Sequence, residues 1–154
     1  MEHPELRSRL AEFLDSDSAH IDFDSAVDGF PVEKINTRIA GAPHTAWQLL
    51  EHIRIAQWDI LEFCRDASHV SPDFPDGYWP AEEGTSASWN ASVEQVRSDI
   101  AAMRELVSGT NSDLFARIPH GDGQTLFREA LLVIDHNAYH LGQLMLMRRM
   151  LEST

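Results

Sequence analysis

An all-α fold is predicted by three features of this sequence. Apolar residues recur at intervals of three and four in several separate segments, which is the spacing of one face of an α-helix. No segment shows the apolar-polar alternation that is typical of a half-buried strand. Proline and glycine are concentrated between the periodic segments, where they mark turns and loops. We therefore expect residues 1–154 to form a single helical-bundle domain with one long crossover connection.

Two shorter helical segments are predicted before the first long helix. The first covers about residues 4–15, and Pro4 lies at an early position where a helix tolerates proline. The second surrounds Phe23 and ends at Gly29. Residues 31–43 then form a connection, since proline and glycine lie near both of its ends.

The helix that follows has the clearest start signal in the chain. Thr45 and Gln48 match the capping-box pattern, in which two side chains satisfy the free backbone donors at a helix start. We expect this helix to run from Thr45 to about Arg65. The apolar residues that line one of its faces are Leu49, Ile53, Ala56, Ile60 and Cys64.

A long crossover is predicted over residues 66–87, between the second and third helices of the bundle. This segment is rich in proline and also contains Tyr78 and Trp79. Disordered linkers rarely contain such residues, so we expect an ordered connection that is held by aromatic side chains.

Two long helices are predicted in the second half of the chain. One covers residues 88–108, and Gly109 is expected to end it in a left-handed conformation. The last covers about residues 125–151 and is apolar on nearly every side. Such a helix needs cover on all sides, from the other helices or from a partner subunit.

The composition excludes several classes of function. Apolar residues make up 43% of the chain and charged residues 24%, as in an ordinary globular domain. The formal net charge is −13, with 25 acidic residues against 12 basic ones, and Lys34 is the only lysine. This charge repels phosphate backbones and anionic lipids, so we expect neither a nucleic acid nor a membrane as partner.

The cellular compartment is predicted from what the sequence lacks. Cys64 is the only cysteine and has no partner for an intrachain disulfide, which is compatible with a reducing compartment. No signal-peptide pattern opens the sequence, and no apolar run reaches the length of a membrane span. We therefore expect a cytoplasmic protein.

A pair of histidines in the last predicted helix suggests a metal site. His136 and His140 are four residues apart, so their rings project from one helical face and can bind one ion. Asn137 occupies the position of the catalytic glutamate in the HExxH motif, which excludes that zinc-protease pattern. No Glu-x-x-His pair occurs in the sequence, which excludes a ferritin-like di-iron site.

A third ligand is needed, and His52 is the best candidate by position. It lies in the middle of the helix that begins at Thr45, at the edge of the apolar face, where packing can bring it over the pair. The alternative is that all three are hydrogen-bonded histidines of the core or surface.

Several segments resemble the DinB-like superfamily over nearly the whole chain. The resemblance is carried by residues 47–52 (WQLLEH), 55–60 (IAQWDI), 123–125 (GQT) and 135–143 (DHNAYHLGQ). It implies a four-helix bundle in up-down-down-up order that is usually a homodimer. It also implies a divalent metal, zinc or nickel, which His52, His136 and His140 would hold here.

The resemblance further implies thiol chemistry. The family includes thiol-dependent enzymes, among them a mycothiol-dependent maleylpyruvate isomerase and bacillithiol S-transferases, and many members without a known activity. Three histidines leave coordination positions open for water or substrate, as in catalytic zinc sites. Zinc bound in this way lowers the pKa of bound water or stabilises a thiolate nucleophile. A low-molecular-weight thiol is therefore a candidate cofactor.

Helical spacing adds three candidate residues around this metal. Asp59 lies seven residues after His52 and Glu129 lies seven before His136, so either can act as a base or orient a ligand. Gln143 lies seven after His136 and can line a cofactor pocket. The alternatives are a solvated acid for Asp59 and a partner of buried backbone for Gln143.

Two functions are compatible with these features of the sequence. The first is a metal-dependent enzyme, a thiol-dependent transferase or a hydrolase, that acts on a small molecule at the open coordination position. The second is a non-catalytic metal-binding bundle with a structural or stress-response role. DNA binding is disfavoured by the charge.

Overall fold

The structure is a computed structural model that describes residues 3–15 and 18–153. Within these ranges the protein is helical and has no β-strand, with one isolated bridge between Arg117 and Thr125. The helices are α1 (Pro4–Leu14), α2 (Phe23–Val27), α3 (Ala46–Arg65), α4 (Ser86–Ser108) and α5 (Leu126–Glu152). Single 3-10 turns lie at Val32–Lys34 and Asp76–Tyr78. The predicted all-α class is confirmed.

Helix α3 packs against both α4 and α5, and two apolar clusters fill the space between the helices. The first cluster includes Leu49, Ile53, Val93, Leu141 and Leu144. The second cluster includes Leu10, Leu61, Met103, Val107 and Val133. Along α5, Val133 belongs to the second cluster and Leu141 to the first, so His136 and Asn137 lie between the two. The middle of the bundle is therefore its polar section.

The helix starts follow from capping side chains. The predicted capping box at α3 is confirmed: Gln48 N–H donates to Thr45 Oγ1 at 3.2 Å, and Thr45 N–H donates to Gln48 Oε1 at 2.9 Å. Helix α4 begins at Ser86, two residues earlier than predicted, because Thr85 and Ser88 form a second capping box. Serine takes the place of the usual glutamate or glutamine in this capping box, so the sequence pattern does not indicate the earlier start.

The expected left-handed end of α4 is wrong. Gly109 is extended, with φ −65° and ψ 132°, and its N–H closes the helix by donating to the Glu105 carbonyl at 3.0 Å. Any residue can adopt this conformation, so the end of α4 does not depend on the freedom of glycine.

The crossover between α3 and α4 is ordered and attached to the start of α3. Trp47 Nε1–H donates to the Glu82 carbonyl at 2.9 Å. Asn36 makes two hydrogen bonds to the backbone of Gly84, at 2.8 and 2.9 Å. A Cβ atom at Gly84 would lie 2.4 Å from the Trp47 ring, so only glycine fits. These contacts hold Tyr78 and Trp79 over α3, as the aromatic content of the crossover predicts.

None of the helices within the described residues has both the length and the apolar content that crossing a bilayer requires.

Candidate metal centre

Three histidines from two helices meet in the polar middle of the bundle. His52 comes from α3, and His136 and His140 come from consecutive turns of α5. One ligating nitrogen of each ring lies within 4.8 Å of those of the other two. The Nε2 atoms of His52 and His136 are 3.0 Å apart. Nitrogens that share a tetrahedral zinc ion at about 2.0–2.1 Å are roughly 3.4 Å apart, so this spacing is close to that of a metal site.

Hydrogen bonds at Nδ1 fix two of the three rings. His52 Nδ1 lies 2.9 Å from the Tyr78 carbonyl, which can only accept, so Nδ1 carries the proton. His140 Nδ1 lies 2.7 Å from Gln143 Oε1 and donates to it. Each ring therefore keeps the lone pair on Nε2 for a ligand. Metal-binding histidines commonly have this arrangement of the second nitrogen.

His136 has no hydrogen-bonding arrangement that satisfies both of its nitrogens. Its Nδ1 is buried and has no hydrogen-bond partner among the described residues. If Nδ1 carries the proton, the Nε2 lone pairs of His136 and His52 face each other at 3.0 Å. If Nε2 carries it, a buried lone pair on Nδ1 stays unpaired, which costs free energy. A cation shared by the three Nε2 atoms removes the lone-pair repulsion, so these residues fit a divalent metal.

Burial keeps the three rings in the neutral form that binds metals. Burial lowers the pKa of His136 to about 4, with further lowering from the nearby His140 and His52, and the Asn137 side chain partly opposes this. Burial also lowers the pKa values of His52 and His140. At neutral pH the cluster therefore offers lone pairs rather than positive charges, and metal binding needs no proton release from it.

Trp79 and His44 form a wall beside the histidines that sequence reasoning missed. The Trp79 ring stacks on His52 with ring centroids 3.9 Å apart and planes 2° apart. The same indole stacks on His44, also at 3.9 Å. His44 precedes α3 and Trp79 lies in the crossover, so helical spacing could not relate them to His52. The feature of the sequence that could have indicated this wall is the presence of a tryptophan in a long loop.

Asp59 is connected to the three histidines of the candidate metal centre through Tyr78. It is buried, and it accepts hydrogen bonds from Tyr78 Oη–H at 2.7 Å and from His69 Nε2–H at 2.8 Å. The carbonyl of the same Tyr78 accepts from His52 Nδ1. Burial and Asp59 raise the pKa of Tyr78 to about 12, so the phenol stays a donor. The structure thus places Asp59 where it holds the crossover residue that orients His52.

Glu129 and Gln143 lie on opposite sides of the pair on α5. Glu129 is buried and pairs with Arg128 at 2.5 Å. It lies two turns, about 10 Å, along the helix from His136. Burial, and then the charge of Glu129, raise the pKa of the Cys64 thiol to about 12, so that thiol stays protonated. Gln143, by contrast, touches the site directly through His140.

Comparison with known families agrees with this geometry. A family model described as DinB superfamily matches residues 17–144. Searches of the curated proteins and of the solved structures found no match to the chain. The family match spans most of the sequence and includes all three histidines. The chain therefore belongs to the DinB superfamily.

Proposed function

We propose that the protein is a metal-dependent enzyme that acts on a small molecule at a site formed by His52, His136 and His140. The observation that carries this proposal is the 3.0 Å approach of two Nε2 atoms, one of which has its proton fixed on Nδ1. With the His136 proton on Nδ1 the two Nε2 lone pairs face each other, and with the proton on Nε2 the buried Nδ1 has no partner among the described residues; a cation between the Nε2 atoms removes the lone-pair repulsion.

The proposed metal is zinc or nickel, as the DinB-like resemblance implies, and neutral imidazoles suit both ions. Bound by three histidines, such an ion lowers the pKa of a bound water or stabilises the thiolate of a low-molecular-weight thiol. These are the chemistries of a hydrolase and of a thiol-dependent transferase. The half-buried, protonated Cys64 is unsuited to replace an external thiol as nucleophile.

The chain's own residues have distinct proposed roles around this ion. The three imidazoles bind it, and Gln143 holds His140 by accepting its Nδ1 proton. Asp59 orients His52 through Tyr78, and each of its carboxylate oxygens already accepts a hydrogen bond. Glu129 is the remaining candidate base, and its pairing with Arg128 favours a supporting role.

The first test is metal binding by the purified, metal-free full-length protein. We expect one zinc or nickel ion per chain in the wild type and loss of that ion in His52→Ala, measured by elemental analysis after dialysis. The matched control is His20→Ala, because His20 is exposed and contacts only its neighbouring backbone. Equal metal content in wild type and His52→Ala would refute the three-histidine site.

The second candidate is a metal-binding bundle without turnover. It is favoured by the extent to which the crossover covers the site, since Trp79 stacks directly on His52. Cobalt-loaded protein separates the two functions: a thiol that reaches the ion adds an intense sulfur-to-metal absorption band. No band with any small thiol, and no hydrolysis of activated esters, would favour the structural role.

We also propose a homodimer that packs through α5. Leu131 and Tyr139 are 45% and 66% exposed on one face of this helix. Exposed Asp135 and Arg149 lie seven residues on either side of Gly142. Antiparallel packing around Gly142 would set Asp135 against Arg149 of a second copy. Arg149→Asp should give monomers by light scattering, and Asp135→Arg in the same chain should restore the dimer.

The remaining proposals concern the setting of this site. We propose that the chain is one domain, that its four bundle helices α1, α3, α4 and α5 run in up-down-down-up order, and that the protein works in the cytoplasm without a nucleic-acid partner. The charge of −13 supports the last point, because the chain repels phosphate backbones. Sub-micromolar binding of DNA at low salt would contradict it.

A further inference from the structure

An apolar cavity lies beside the three histidines. It has a volume of about 350 Å³ and lies between residues 39–44 and the C-terminal half of α5. Its described lining residues include no charged side chain, in a chain in which 24% of residues are charged. Apolar cavities of this size are typical of small-molecule sites.

Only two residues of the lining have polar side chains, and they connect to the histidine cluster, Gln143 directly and His44 through Trp79. Gln143 lines the cavity and accepts the hydrogen bond from His140 Nδ1 at 2.7 Å. His44 lines the cavity and stacks on Trp79, which in turn stacks on His52. The polar end of the cavity is therefore the end next to the candidate metal centre, and the rest is apolar.

The apolar part of the lining is adaptable. Met147 and Met150 are unbranched and can adjust to ligands of different shape. Leu146 and Met150 are exposed at its rim, whereas Leu49 is buried at its base. The exposed rim side chains leave the cavity accessible from solvent. An uncharged chain or ring can fill such a space, while a carboxylate or phosphate would lose its hydration without gaining a partner.

We propose that this cavity binds the neutral, apolar part of the substrate or thiol whose head group reaches the three histidines. Only the assignment of the head group rests on the proposed function; the apolar specificity rests on the cavity alone. The two parts of one ligand thus occupy adjoining sites, with Gln143 and His44 at the junction.

The apolar site is tested with straight-chain 1-alkanols on the metal-free full-length protein. From propanol to octanol, Kd should fall about three- to fourfold for each added methylene until the cavity is filled, measured by NMR titration. Leu146→Asp, which puts a charge at the rim, should remove this dependence. The matched control is Leu131→Asp, an exposed leucine of α5 outside the cavity, which should keep it. Ala40→Trp should block the cavity without a charge.

The head group is tested with the matching 1-alkanethiols on the zinc-loaded protein. Zinc loading should lower the Kd of every thiol by the same factor and leave the Kd of every alkanol unchanged. This result would show that one thiol molecule occupies both sites. Chain-length dependence without a zinc effect would overturn the shared ligand. No chain-length dependence, or equal dependence in Leu146→Asp, would overturn the cavity site even if zinc binds. Alkanol affinity that falls as protein concentration rises would indicate a second copy over the cavity and would also overturn it.

Discussion

Two polar contacts join α3 to α5 in the middle of the bundle, and they differ in how their atoms are satisfied. In the first, Asn137 Nδ2–H donates to Gln57 Oε1 at 2.7 Å, and Gln57 Nε2–H donates to the Val96 carbonyl at 2.9 Å. In the second, one residue away, His136 Nε2 faces His52 Nε2 at 3.0 Å.

The difference separates a structural contact from a binding site. The amide contact matches an amide donor of each side chain with an acceptor and fixes α3 against α4 and α5, although Asn137 Oδ1 has no hydrogen-bond partner among the described residues. The histidine contact sets nitrogen against nitrogen, with the His52 proton committed to Tyr78. Donors matched to acceptors hold a fold together, whereas three ring nitrogens that converge offer a site for a cation.

The largest expected effect comes from replacing one member of each contact with leucine. His136→Leu should weaken zinc binding by more than about 100-fold, because a lost ligand exceeds the 10- to 100-fold loss for a residue that only orients one. Gln57→Leu should lower the unfolding free energy by about 2 to 4 kcal/mol, because it leaves the buried Asn137 amide without its acceptor and removes the hydrogen bond to the Val96 carbonyl. Competition with a zinc chelator measures the change in zinc affinity, and urea unfolding measures the change in stability.

Each variant is the control for the other. Metal-free His136→Leu should unfold within about 1 kcal/mol of the wild type, because the variant loses the Nε2 contact with His52 but also removes the unpaired Nδ1 from the interior. Folded Gln57→Leu should bind zinc within about threefold of the wild type. If both variants lost zinc and stability together, the distinction between the contacts would be wrong.

A smaller effect is expected at Gln143, which connects the histidine contact to its surroundings. Gln143→Leu removes the acceptor for His140 Nδ1–H and should weaken zinc binding by about 10-fold. Gln143→Glu keeps an acceptor oxygen and should stay closer to the wild type. Isothermal titration at one pH compares them. Wild-type affinity in Gln143→Leu would show that His140 needs no such support.

The smallest effect is expected at Asp99, which shows that an unpaired atom alone does not make a site. Its Oδ2 is buried without a hydrogen-bond partner, while Gln95 donates to Oδ1 at 2.8 Å. Unlike the histidines, it belongs to no group of three or more ligating side chains among the described residues. Asp99→Asn should raise the unfolding free energy by about 1 kcal/mol at pH 7 and leave zinc content unchanged.

The pH dependence of this variant has a definite sign. Burial raises the pKa of Asp99 above its ordinary value, so the folded state holds its proton where the unfolded state has lost it. The contribution of Asp99 to stability is therefore greatest at acid pH and falls as pH rises from about 4 through the raised pKa. The unfolding free energy of Asp99→Asn should increase relative to that of the wild type as pH rises through this range. Urea unfolding at several pH values measures it. A constant difference would contradict it.

Local patterns in the sequence were sufficient for the fold class and most helix boundaries. Apolar residues repeat with the helical period in α3, and the Thr45 capping box sets its start. The sequence predicts the start of α4 two residues too late, because the capping box of this helix has a serine in the position of the usual glutamine. The helix ends before Gly109 as predicted, but the predicted left-handed conformation of Gly109 is wrong, because glycine permits that conformation without requiring it.

The sequence by itself determined that the chain is helical, acidic and equipped with a His-x-x-x-His pair, since these depend on residue type and spacing along one helix. Only the tertiary structure decided which atoms meet. It brought His52 within 3.0 Å of His136, placed Tyr78 and Trp79 from the crossover against His52, and linked Asp59 to the site through Tyr78. The physical reason is that such contacts join residues of no fixed sequence separation, so the packing of α3 on α5 and the path of the crossover set them.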